Sequence, residues 1–217
     1  MIWIIRNLVV FVFAIVMWKI MDHLHINNAL AFVIIFILMF LILYVPILFT
    51  VLWDSNLKRI EKFLMSNKSK PEYHLFYALA HEIDEEVEDL IRLLLQKYKG
   101  IHKQALYKTV FAFYKKEILT VKEEIEFIKP LAYKNYYRAI VCMEEGNNAE
   151  AHKIIHEIPT PWMKNALLSE LELTSNHHAA ATELAQQALH QSKGLQKYVL
   201  FKTYQRKFPE MKPVKAR

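Results

Sequence analysis

ALAFVIIFILMFLILYVPILFTVLW, residues 29–53, runs for 25 positions without a charged side chain. About 20 apolar residues are enough to cross the hydrocarbon core of a bilayer as a helix. A helix this long and apolar on every face has no place in the core of a small soluble domain, where one face must meet water. The stretch therefore predicts a transmembrane helix, with Pro46 as a bend that membrane helices tolerate better than soluble ones.

Upstream, residues 2–20 are apolar apart from Arg6, Asn7 and Lys19, and an Arg near a helix end can reach the headgroups. This predicts a second crossing, so that residues 1–53 form a transmembrane hairpin with helices over about 2–20 and 29–53. The rival reading is a cleaved signal peptide, with Ala29-Leu30-Ala31 imitating a cleavage site. That site lies well beyond the first apolar run and at the mouth of the second, which disfavours cleavage. Downstream, Lys58, Arg59, Lys62, Lys68 and Lys70 oppose only Asp54 and Glu61, whereas the loop near 19–28 holds Lys19 and Asp22. The positive-inside rule then places both the N-terminus and the C-terminal part in the cytoplasm, in a multi-pass plasma-membrane protein. Trp3, Trp18 and Trp53 lie near the predicted interfaces, where indole rings concentrate.

The rest of the chain has a different character. Apolar residues make up 54% of the whole but crowd before Asp54; from Pro71 onward Lys, Glu, Leu, Ala and Tyr dominate. There are only 3 glycines, too few for a turn-rich sheet protein, and each follows a helix-like stretch as a stop signal. Outside Pro46, the prolines fall at 71, 130, 159, 161, 209 and 213, between the periodic segments or at their first turns. The expected fold class is all-α: the membrane hairpin, a basic linker over 54–70, a helical domain over 71–208 and a basic tail over 209–217. In the linker, Leu57, Ile60, Phe63 and Leu64 recur at helical spacing opposite Lys58, Arg59, Lys62, Lys68 and Lys70. Two readings stand equal: a connecting helix packed on the domain, or a helix on an anionic leaflet using both its apolar contact and its charge.

Within 71–208 the pattern predicts one long or two short helices over 72–99, stopped by Gly100, and another over about 102–118. Thr120 with Glu123 has the spacing of a capping box and predicts a short helix ending at Pro130. Helices over 133–145 and 149–158 follow, parted by Gly146-Asn147-Asn148. Thr160-Pro161 predicts a new N-terminus, for a helix reaching about 173. Ser175-Asn176 then turns into a helix over 177–191, and Gly194 precedes the last one. Superposing Gly146 on Ser175 places Asn147 on Asn176, Ala151 on Ala180 and Ile155 on Leu184, an offset of 29.

Two helix-turn-helix units in register, with GNNAEA at the first turn, resemble the tetratricopeptide repeat over 132–192. The offset is shorter than that family's repeat of about 34 residues. The family's first-helix Trp and Gly-Tyr pattern is missing, and Ser175 replaces the turn glycine of the first unit. The resemblance implies antiparallel helical hairpins that bind other proteins. In plan the chain is similar to membrane-anchored tetratricopeptide proteins of bacterial envelopes, which implies a scaffold or regulator; a generic helical bundle is the plain alternative.

Little in the sequence points to catalysis. Three isolated glycines build neither a P-loop nor GxGxxG. His81-Glu82 begins like a zinc-protease motif, but Glu85 stands where the second histidine belongs. His152 and His156 sit four apart on a helix, a pair that arises often by chance, and His23 and His25 are weaker still. Cys142, the sole cysteine, precedes Glu144 and Glu145, which oppose thiolate formation. No catalytic residue, metal or cofactor is expected. Lys202, Arg206, Lys207, Lys212, Lys215 and Arg217 make a basic end, suited to solvent, lipid or an acidic protein rather than nucleic acid. Tyr107, Phe111, Tyr114, Tyr133, Tyr136 and Tyr137 are either core between hairpins or anchors lining a partner groove. The expected function is that of a membrane-tethered adaptor holding another protein, such as an envelope-complex subunit. The alternative is an accessory subunit of a membrane transporter or enzyme, acting mainly through its transmembrane helices.

Overall fold

The structure, a computed structural model, describes residues 2–211, with side chains from Phe11 onward. The described residues form twelve α-helices and one 3-10 turn, with no strand. They divide into two units, Met1–Trp53 and Asp54–Arg217.

In the first unit, α1 (Ile2–His23) and α2 (Asn28–Leu52) form a helical hairpin. His25 takes a left-handed conformation (φ 54°), the N–H of Ile26 reaches back to the Met21 carbonyl, and the Asn27 side chain accepts from the N–H of Ala29. These bonds satisfy orphan groups at both helix ends and reverse the chain. Near the turn, Met21, Ala31 and Ile35 are buried between the helices, and Trp18 packs on Phe32 with ring centroids 4.8 Å apart. Further along, most large side chains of α2 are exposed, among them Phe36 at 72% and Phe40 at 50%. α2 is long and apolar enough to cross a membrane, and among the described residues it is the one helix that is. Pro46 does not break it; Thr50 Oγ1 donates to the Pro46 carbonyl within the same turn.

The second unit begins with α3 (Leu57–Ser66), capped by the Asn56 side chain, which accepts from the N–H of Arg59. Then come α4 (Pro71–His81), α5 (Asp84–Lys97), α6 (Ile101–Tyr114), a 3-10 turn (Ile118–Val121), α7 (Lys122–Ile125), α8 (Leu131–Glu144), α9 (Asn148–Glu157), α10 (Pro161–Thr174), α11 (His178–Gln191) and α12 (Gly194–Lys207). The stretch expected as one or two helices over 72–99 is two, parted at Glu82 in a left-handed conformation.

The structure sets the repeat length at 30 residues rather than 29. α4, α6, α8 and α10 begin at residues 71, 101, 131 and 161. α6, α8 and α10 also end alike, on left-handed Lys116 (φ 61°), Gly146 (φ 76°) and Asn176 (φ 61°). At each of these ends an N–H reaches back five residues: Glu117 to Ala112, Asn147 to Cys142, His177 to Glu172, at 2.7, 2.8 and 2.8 Å. This is the Schellman closure, which needs one left-handed residue. The offset of 29 paired Gly146 with Ser175 by size, but the left-handed residue is Asn176, a type that tolerates that backbone. The 30-residue spacing also aligns Thr109, Ala139 and Ser169, all 0% exposed, and on the second helices Ala151 with Ala181. Small residues at these points let the helices approach closely.

Other expectations are corrected. The helix over 102–118 ends at Tyr114 because Lys116 reverses the chain. The capping box does not form: Thr120 Oγ1 donates to the Glu117 carbonyl inside the 3-10 turn. Thr160 starts α10 by its backbone alone, and Pro161 takes the first turn as expected. Gly146 is a helix stop, whereas Gly100 precedes α6 with φ −69° and Gly194 begins α12.

α12 joins the two ends of the hairpin row. Its Tyr204 and Phe208 pack with Ala166 of α10 and with Ala181, Ala185, Ala188 and Leu189 of α11. Elsewhere along the helix, Arg206 donates to the Ala80 carbonyl at 2.8 Å, Tyr198 donates to Glu61 of α3, and the Gly194 N–H donates to the Asp54 carbonyl at 2.7 Å. The row of hairpins therefore closes on itself.

Candidate functional surfaces

The six aromatic residues singled out by sequence lie in two separate clusters. Tyr107, Phe111 and Tyr114 pack against Leu75, Ala78, Val87, Ile91 and Leu94 of the α4–α5 hairpin. Tyr133, Tyr136 and Tyr137 join Ile154, Ile155, Ile158 and Leu167, with Tyr136 edge-on to Tyr137 at 5.5 Å. Burial raises the phenols of Tyr133, Tyr136 and Tyr137, and burial followed by the hydrogen bond to Asp84 pushes Tyr114 up to about 12. These rings fill the spaces between hairpins.

Surface apolar side chains lie elsewhere. Ile101 is 53%, Phe127 47% and Leu131 65% exposed, and Leu93, Phe113 and Leu119 are also exposed. The His102 ring is 2.7 Å from the Phe127 carbonyl, which pins Phe127 to the start of α6 beside Ile101. Ile101 and Leu131 are equivalent first residues of successive repeats. Composition alone gave no sign of these exposures, because they depend on which side of a helix each residue occupies.

On α3, Ile60 and Leu64 are 0% exposed and Phe63 meets Tyr73 edge-on at 5.0 Å. The packed-helix reading of the linker is the one observed. Arg59 pairs with Asp54, which is 1% exposed. Lys58, Lys62, Lys68 and Lys70 are exposed, with Lys68 4.5 Å above the Tyr77 ring and Lys70 5.6 Å from that of Tyr73. The acidic run over 82–89 is largely matched within the domain: Glu82 by Arg206, Asp84 by Tyr114, Glu86 by His74, and Asp89 by Arg92. Of the basic end, Lys202 pairs with Glu61 and Lys207 with Glu170; Lys212, Lys215 and Arg217 lie outside the described residues.

One polar cluster escaped the sequence reading. Tyr198, 1% exposed, donates to Glu61 at 2.8 Å, and its hydroxyl is 2.8 Å from His81 Nε2. Lys202 is 3.4 Å from Glu61, and Tyr77 stacks on His81 at 4.3 Å. Burial, reinforced by Lys202, lowers the His81 pKa and favours its neutral form. Burial opposes ionisation of Glu61, but the bonds from Tyr198 and Lys202 prevail and lower it. These partners are 117 and 137 residues apart in sequence, so no local pattern links them.

His152 and His156 are exposed on α9, and His177 pairs with Glu172 at 2.8 Å. Among the described residues no group of three metal-capable side chains gathers. Cys142 is partly buried, and burial followed by Glu145 and Glu150 raises its pKa. The arrangement supplies packing surfaces and structural ion pairs. No family model matches the sequence, and neither a curated protein nor a solved structure matches it.

Proposed function

We propose that this chain is a membrane-tethered adaptor. In this reading α1 and α2 both cross the plasma membrane, the N-terminus and the hairpin domain lie in the cytoplasm, and the domain holds another protein, a subunit of an envelope complex. The hairpins act in the manner of tetratricopeptide repeats. The observation that carries the reading is the concentration of exposed large apolar residues between Leu93 and Leu131. Contiguous exposed apolar side chains mark interaction surface, and the bond between His102 and the Phe127 carbonyl brings Phe127 to the start of α6, where Ile101 stands. An apolar helix joined to such a domain tethers it to the bilayer.

Photo-crosslinking residues placed in intact cells at Ile101, Phe127 and Leu131, and in parallel at Phe32, Phe36 and Phe40 of α2, test the reading. The adaptor reading expects one discrete protein joined to the domain positions. Adducts confined to the α2 positions would overturn it in favour of an accessory subunit working within the membrane. Topology is tested separately by maleimide labelling of Lys129→Cys in a Cys142→Ser background. Labelling by an impermeant reagent outside sealed cells would refute the cytoplasmic assignment.

A further inference from the structure

We propose that the exposed cationic face of α3 and the two lysines that follow it bind the anionic phospholipid headgroups of the bilayer that α2 enters, and that charge, rather than the buried apolar face of the helix, drives this contact. The inference rests on α2 being a membrane span. The apolar face of α3 is taken up by the domain: Ile60 and Leu64 are 0% exposed and Phe63 packs on Tyr73, which leaves Met65, 55% exposed, as the one large exposed apolar side chain of the helix. Its acids are turned away as well. Glu61 is held by Tyr198 and Lys202, and Asp54 is 1% exposed and paired with Arg59.

Lys58, Lys62, Lys68 and Lys70 remain, all exposed, and among the described residues none lies within ion-pair distance of a carboxylate. Lys58 and Lys62 are one helical turn apart and share a face. The ammonium groups of Lys68 and Lys70 lie 4.5 and 5.6 Å from the ring centres of Tyr77 and Tyr73.

Reach follows from the covalent chain. Only residues 53–56 separate α2 from α3, and four residues span at most about 14 Å even when fully extended. Even that upper limit is only about one and a half times the screening length near physiological salt, roughly 8–10 Å. The first turn of α3 is therefore held within reach of the surface field of an anionic leaflet. Each lysine so placed favours the surface by about five-fold. An acidic protein would find the same charges, but no other partner is delivered to them by the chain itself.

Full-length protein in nanodiscs of phosphatidylcholine, with and without phosphatidylglycerol, tests the site through lysine acetylation rates read by mass spectrometry. Both disc faces are open, so membrane orientation does not enter. Lys58 and Lys62 should react about five-fold more slowly in the anionic discs. They should recover in about 1 M salt, where the screening length falls to about 3 Å. Exposed Lys129, in the hairpin row, should react equally in both discs. Replacing Lys58 and Lys62 by Gln, which leaves the buried face of α3 untouched, should weaken the protection of Lys68 and Lys70.

Equal rates in both discs overturn the site while leaving the span intact. Protection in native membranes but not in anionic discs assigns the face to a protein and likewise overturns it. A chain that does not co-elute with the discs refutes the span and the site together.

Discussion

Replacing Lys116 by Gly tests the 30-residue repeat at a position where residue type gives no hint of conformation. Lys116 closes α6 with φ 61°, as Gly146 closes α8 and Asn176 closes α10. A side chain in the left-handed region costs about 1–2 kcal/mol. Glycine escapes that cost but gives back about 0.5–1 kcal/mol through the greater freedom of its unfolded chain. The Lys116→Gly variant should therefore gain about 0.5–1 kcal/mol. Gly146→Ala should lose a similar amount; a Cβ at Gly146 meets nothing within 4 Å, so its cost is conformational rather than steric. Ser175, with φ −87° and ψ 6°, is the control, since glycine there brings only the entropic cost of about 0.5–1 kcal/mol. Thermal unfolding of the full-length chain in detergent, followed by near-UV circular dichroism of its tyrosines, reads these changes at about 2–4 °C per kcal/mol. A rise in Tm for Ser175→Gly with none for Lys116→Gly would refute the repeat length and restore the 29-residue offset.

Three further outcomes are expected. Desolvation opposes the Glu72 charge, but bonds from Lys97 and Tyr98 outweigh it and hold the carboxyl at about 2, against 4.5 unfolded. Because the folded value is the lower one, its contribution is complete above about pH 4.5 and is lost as pH falls toward 2; chemical denaturation at pH 6 and pH 3 should show Glu72→Gln with a flatter acid dependence than the wild type. Tyr198→Phe removes the hydroxyl between His81 and Glu61 and should lower stability by about 1–2 kcal/mol, with faster amide exchange in α12 than in α8; unchanged exchange in α12 would show that its closure does not depend on this bond. Ala139→Leu, at a site 0% exposed, should cost about 1–3 kcal/mol by overpacking, whereas the same change at exposed Ala149 should stay within about 0.5 kcal/mol in denaturant titration.

The legible parts of this sequence are those in which one physical force acts on a contiguous stretch. The uncharged run at 29–53 has a single meaning for solvation, and α2 occupies it within a residue at each end. The hairpin at 146–148 was legible because a glycine and an Asn cap stand together. The repeat length was not, since Glu82 and Lys116 close helices in the left-handed conformation although side-chain identity does not mark them as turns, and at 175–176 the left-handed residue is Asn176 rather than the smaller Ser175. The seam at Glu61, His81 and Tyr198 depends on closure of the whole hairpin row and has no local signature. The aromatic residues show the same limit from the other side. Small residues at 109, 139 and 169 draw paired helices together, and large rings must then fill the wider gaps between neighbouring hairpins. Tyr133, Tyr136 and Tyr137 are consumed in this way, whereas Ile101, Phe127 and Leu131, residues whose composition resembles ordinary core, are among those that face outward.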